Sequence, residues 1–97
     1  MRPLRIVTTG LAVSYPYGGV FWDYVQYPLG LRQLGHDVLY LEDTGRWCYA
    51  PRAGTFVAQG APNAAAFARH VAAHAPELAG RWFFRDATGA TDRKSVV

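Results

Sequence analysis

The residues able to do chemistry in this chain are few, and the tightest group is Gly18-Gly19 with Asp23 four positions on. A glycine pair lets the backbone take positive φ or lets a ligand approach the main chain closely. If a helix begins there, its unpaired N–H groups and partial positive charge suit a phosphate or pyrophosphate. A plain tight turn accounts for the pair equally well. Asp23 is of the type that serves as a general base. Its structural alternative is a carboxylate near a helix N-terminus, stabilising the dipole by ~0.3–1 kcal/mol. Tyr17, Val20 and Phe21 share this stretch with Tyr15 and Trp22. Aromatic rings exposed there would stack on a sugar or lipid, or else pack the loop over its neighbours. Asp43, next to Glu42, is a further acidic candidate, with capping or solvation as the simpler role.

Other candidates lead less far. His70 and His74 stand four apart, but a zincin helix needs Glu after the first His and position 71 is Val, so no metal is expected. Cys48 is the single cysteine. It excludes an intramolecular disulfide framework, fits a reducing compartment, and reads as an inert thiol. Glu42 imitates the ribose-binding acid of dinucleotide folds. The G-x-G-x-x-G fingerprint that should precede it is missing, since Leu11 and Ala12 follow Gly10. Arg81 and Arg85 flank aromatics and would face phosphate or keep an edge strand soluble.

The elements that must position these residues follow from periodicity and punctuation. Residues 5–9 are short, β-branched and bounded by Gly10, which predicts a first strand. Apolar residues at helical spacing predict a helix over 20–34, kinked or split at Pro28 and Gly30 and closed by Gly35. Residues 37–42 read as a strand buried on both faces. Strand, glycine loop, helix, strand is a βαβ unit with parallel strands. Residues 44–60 read mostly as loop, with a short turn near 55–58. Asn63 is expected to cap a second helix that carries Phe67 and Val71 inward and stops before Pro76. The aromatic run 81–85 predicts a third strand.

Length and composition bound the rest. Ninety-seven residues make at most one small domain. Apolar residues are 51% of the chain and charged residues 18%, which argues against disorder, although fifteen of the apolar residues are Ala. The net charge of +3 comes from scattered basic residues, nine of the ten being Arg, and gives no nucleic-acid stripe. No apolar run approaches the ~20 residues of a membrane span, and no secretory pattern opens the chain. The expected location is therefore cytoplasmic, with peripheral membrane contact left open. Asp92-Arg93-Lys94-Ser95-Val96-Val97 continues no pattern before it, and one permitted codon spelling, GAT-CGG-AAG-AGC-GTC-GTG, matches a common sequencing-adapter sequence. The expectation is a partial domain over 1–91 and a foreign tail over 92–97. A truncated parallel sheet of this size should be marginal in stability, because it leaves an edge unpaired.

Gly18-Gly19, then fourteen residues, then Leu34-Gly35-His36-Asp37-Val38-Leu39-Tyr40-Leu41 resembles the opening of GT-B glycosyltransferases of the family 1 and 4 type. These begin with a short strand, a glycine-rich loop and a helix ending in a "(R/L)-G-H-(E/D)-V" turn. The match spans residues 5 to 42. It implies an α/β fold: an incomplete Rossmann-like parallel sheet with flanking helices, the first part of the N-terminal domain. It also implies transfer of a sugar from a nucleotide-sugar donor to an acceptor, with no further cofactor. The spacing is similar to that of the bacterial transferases that add N-acetylglucosamine to the lipid-linked cell-wall precursor. In that family a His follows the paired glycines; here Val20 stands there, so no catalytic His carries over. On this reading Gly18, Gly19, Tyr17, Val20, Phe21 and Asp43 border the cleft, Asp23 is the base, and the fragment alone is inactive. The rival from another class is a flavodoxin-like or receiver-like α/β module that binds without catalysis. A receiver should carry an acidic cluster after its first strand, where this chain has Thr8, Thr9 and Gly10.

Overall fold

The computed structural model describes residues 2–93. Strand β1 (Arg5–Thr8) leads through a loop to helix α1 (Gly18–Gln33) and strand β2 (Asp37–Glu42). A hairpin of β3 (Cys48–Ala50) and β4 (Thr55–Val57) precedes helix α2 (Ala61–His74), a single 3-10 turn at Pro76–Leu78, and strands β5 (Trp82–Arg85) and β6 (Thr91–Arg93). The main sheet has the order β1-β2-β5-β6, with β1, β2 and β5 parallel and β6 antiparallel on β5. The chain is thus a small α/β fold on a three-stranded parallel sheet. Of the expected tail, Asp92 and Arg93 pair with Phe84 and Phe83 in β6; residues 94–97 lie outside the described residues.

Strand alternation sorts the sheet into two unlike faces. Val38, Tyr40, Trp82 and Phe84 are buried under the helices. Phe67 of α2 stacks on Tyr40 and meets Trp82 and Phe21 of α1 edge-on, with ring centroids 4.9–5.6 Å apart. Both helices therefore cover the same face. The opposite face carries Val7, paired with Leu39, and Leu41, paired with Phe83. Val7 is 62% exposed and the other three are half-buried. Ion pairs bound that face at both ends: Arg5 and Arg81 on Asp37, and Arg85 on Asp43.

Several expectations need correction. Helix α1 begins at Gly18 and runs unbroken through Pro28. The proline forfeits one backbone bond, but its ring is fully buried, and that packing offsets the loss. The segment read as loop contains the β3–β4 hairpin, whose Gly54 takes φ +65° in the turn. Its strands are three residues each, too short to show periodicity. Asn63 is not the cap of α2, because Gly60 holds that position and Pro62 lies in the first turn. The expected end of the first helix holds fully. Gly35 takes φ +96°, its N–H reaches the Arg32 carbonyl, and the His36 N–H reaches the Leu31 carbonyl, which is a Schellman closure.

Two glycines are demanded by close approach. A Cβ at Gly60 would lie 2.5 Å from the Phe84 ring, and one at Gly10 would lie 2.4 Å from the Tyr24 ring. The Asp86 carboxylate accepts the Gly60 N–H at 2.8 Å and also the Thr88 and Ala90 N–H groups, tying the end of β5 to the start of α2. Burial pushes the Asp86 pKa upward, but the Thr88 hydroxyl and these three N–H donors outweigh it, leaving the carboxyl below its ordinary value. Its stabilising contribution is thus complete above the unfolded value of about 3.9 and is lost as pH falls through the lower folded value. Gly10→Ala should destabilise the chain by about 1–3 kcal/mol through overpacking against Tyr24. Gly18→Ala, where a Cβ meets nothing within 4 Å, should be neutral or mildly stabilising. Urea denaturation of the two variants measures the contrast, and equal midpoints would refute the Gly10–Tyr24 packing.

Candidate functional site at the carboxyl edge of the parallel sheet

The loops leaving the carboxyl ends of β1 and β2 are held together by one side chain. Glu42, the last residue of β2, is completely buried. Its Oε1 accepts the Val13 N–H at 3.0 Å and the Tyr40 hydroxyl at 2.6 Å. Its Oε2 accepts the Ser14 N–H at 2.8 Å and the Ser14 hydroxyl at 2.7 Å. Four donors converge on it, so both of its oxygens act as acceptors. The Tyr40 oxygen in turn accepts the Ala12 N–H at 3.1 Å. Burial beside Glu42 raises the Tyr40 phenol far above its ordinary pKa. Glu42 therefore serves no ribose; both its oxygens are occupied inside the protein.

Asn63 adds a second tie. It is 5% exposed, and its Nδ2 donates to the Val13 carbonyl at 3.0 Å and the Tyr49 carbonyl at 3.1 Å. The Tyr49 N–H donates to the Ser14 carbonyl at 2.8 Å. The hairpin thus lies over the loop after β1, with Tyr15, Tyr17, Tyr49 and Phe56 in ring contact at 5.3–5.9 Å.

Downstream of that loop, α1 opens on Tyr17, which has extended φ and ψ and makes no side-chain cap. The first intrahelical bond runs from the Phe21 N–H to the Tyr17 carbonyl. The N–H groups of Gly18, Gly19 and Val20 are therefore the orphan donors of the helix start. Tyr17, Gly18 and Gly19 are exposed and Val20 is half-buried. Neither glycine has positive φ, so backbone strain does not call for them. Asp23 is exposed in the second turn of α1, not the first.

The remaining candidates divide. Phe21 is 4% exposed and packs on Phe67, so its ring fills the core rather than a cleft. Asp43 is bound by the Arg85 guanidinium through Nε at 2.9 Å and Nη2 at 2.8 Å, which occupies both side chains across β2 and β5. Arg81 is similarly engaged with Asp37 at 2.7 Å. His36 is buried, and its Nδ1 accepts the Leu4 N–H at 3.1 Å, pinning the approach to β1 against the start of β2. His70 and His74 stack at 6.3 Å with Phe21 and Trp22 beside them. Among the described residues no group of three metal-binding side chains occurs, and no helix is long and apolar enough to cross a membrane. Sequence reasoning missed Asn63 as a tie, along with Arg52 and Arg69, which line a groove beside it. Only their proximity in the fold reveals them.

No protein-family profile, no curated protein and no solved structure matches this chain.

Two outcomes check the site's construction. Glu42→Gln keeps one acceptor oxygen but turns its NH2 against either the Val13 and Tyr40 donors or the Ser14 donors, and should cost about 1–3 kcal/mol or more in a chemical denaturation curve. Unchanged stability would mean that the four bonds are not made. Burial, reinforced by Glu42, pushes the Cys48 thiol up to about 11. At pH 8 little thiolate exists, so iodoacetamide should label native Cys48 slowly and the urea-unfolded chain rapidly. Equal rates would show the thiol to be open.

Proposed function

We propose that this chain is the first part of the N-terminal domain of a GT-B-type glycosyltransferase, an incomplete Rossmann-like sheet that forms one wall of the cleft. The observation that carries the reading is the exposed, uncapped start of α1 beside the carboxyl edge of a parallel sheet. That edge is where open α/β sheets bind ligands. The residues behind the resemblance are consistent with it. Gly35 and His36 make the tight return from α1 into β2, and Gly18-Gly19 leaves the helix start bare of side chains.

Sugar transfer forms a bond between the acceptor oxygen and the anomeric carbon while the bond to the nucleoside diphosphate breaks. The acceptor hydroxyl must lose its proton, and the leaving diphosphate must be stabilised. Asp23 is the proposed base. The orphan N–H groups at Gly18 to Val20 and the α1 dipole would face developing negative charge. Tyr17 would border the acceptor. Contacts to the nucleotide-sugar belong to a second α/β half in this reading.

The test begins with the coding locus: an open frame continuing past codon 91 into a second α/β half is expected, and a genuine stop there would sink the proposal. The encoded polypeptide should release nucleoside diphosphate from one member of a panel of nucleotide-sugars. Asp23→Asn should lower kcat by roughly 100-fold or more. Gly19→Val should impair turnover while circular dichroism and melting temperature hold, because a Cβ at Gly19 meets nothing within 4 Å. Full activity in both variants would move the cleft elsewhere.

A further inference from the structure

A second feature lies between the turn of the β3–β4 hairpin and α2. There an open groove of ≈ 570 Å³ is lined by Pro16, Val57 and Pro62 among other apolar residues, and by Asn63, Arg52 and Arg69. We propose that this groove binds a phosphate- or diphosphate-bearing ligand with an apolar body, its anion held between the Arg52 and Arg69 guanidinium groups. The inference goes beyond the glycosyltransferase reading and does not need it.

Its volume falls in the range of about 300–1,000 Å³ typical of small-molecule sites, and its walls are mostly apolar with a few polar groups, as such sites usually are. Among the described residues, its only charged lining residues are the two arginines, and no carboxylate lines it. Arg5, Arg81 and Arg85 are committed to ion pairs, and Arg32 donates to the His36 carbonyl. Arg52 and Arg69 are exposed and make no ion pair or side-chain hydrogen bond among the described residues. Their charge is therefore not used to hold the fold. One guanidinium fork is satisfied by the two oxygens of a single carboxylate. Two forks on separate elements call for the larger oxygen set of a phosphate or diphosphate.

Asn63 supplies the fixed polar point. Both Nδ2 hydrogens are spent on the Val13 and Tyr49 carbonyls, which locks the side chain. Its Oδ1 accepts from no described residue, so it is left to take a ligand hydroxyl or N–H. Pro16, in the loop after β1, sets the groove at the same carboxyl edge as the start of α1.

Isothermal titration with inorganic pyrophosphate, geranyl diphosphate and uridine diphosphate tests the proposal on the chain itself. Saturable binding is expected that weakens about tenfold or more in Arg52→Ala and in Arg69→Ala and vanishes in the double variant. Neither residue holds the fold, so circular dichroism should be unchanged. Arg46→Ala, exposed on the same edge but outside the groove, should bind as the parent does. A gain for geranyl diphosphate over pyrophosphate is expected of an apolar body, and a gain for uridine diphosphate alone would overturn that body in favour of a nucleotide. No saturable binding, equal loss in Arg46→Ala, or no gain from either organic body would overturn the proposal. Failed sugar transfer with intact binding would leave it standing.

Discussion

The structure depends on placing one carboxylate, Glu42, in the dry interior and answering it entirely with hydrogen bonds. A buried carboxylate without partners would be prohibitive, and among the described residues no cation pairs with this one. Val13, Ser14 and Tyr40 supply the donors instead. The consequence is geometric. The loop after β1 has no choice of path, because two successive N–H groups must point at the end of β2. That path sets where α1 starts and hence where its exposed N–H groups sit. Asn63 fixes the same loop from the opposite side and couples it to the hairpin. The two candidate surfaces, the start of α1 and the arginine-lined groove, are therefore braced by one polar network.

Around that network the sheet is covered unevenly. Aromatic packing of Phe21, Phe67, Tyr40 and Trp82 concentrates the apolar burial on one face. Parallel strands are ordinarily covered on both. Here the second face retains an exposed Val7 and relies on ion pairs at its margins, where solvent screening makes each worth ~0–1 kcal/mol. Stability thus rests on the helical side.

The parts of this architecture legible in the sequence are those governed by local rules. The β-branched run before Gly10, the apolar run of β2 and the Leu34-Gly35-His36 return each carry their own signal, and the parallel βαβ arrangement follows from their order. The hairpin was hidden because Cys48-Tyr49-Ala50 and Thr55-Phe56-Val57 are too short for alternation to register. Asn63 reads as a cap because capping is its commonest role near a helix start, whereas here a carbonyl fifty positions away claims it. Glu42 looks like a ligand-binding acid at a strand end until its four donors are seen. Asp43 and Arg85 carry no sequence mark of their pairing, which only the β2–β5 register creates. Long-range polar partnerships leave no periodic trace, and most of the candidate site consists of them.

The separation in sequence of those partners also governs when the site comes into being. The amides of Val13 and Ser14 sit in a loop, yet their acceptor lies 28 or 29 residues onward and the tie from Asn63 lies 50 residues from Val13. Such bonds form only when distant segments of the chain meet, so they belong to the tertiary fold and not to local structure. Buried and bonded to Glu42, these two amides should exchange with solvent more slowly than ordinary loop amides. Along the chain, the Glu42 bonds require only β2, whereas the Asn63 tie also requires α2. The carboxyl edge is thus completed from three separate stretches of the chain, the loop after β1, the end of β2 and the first turn of α2.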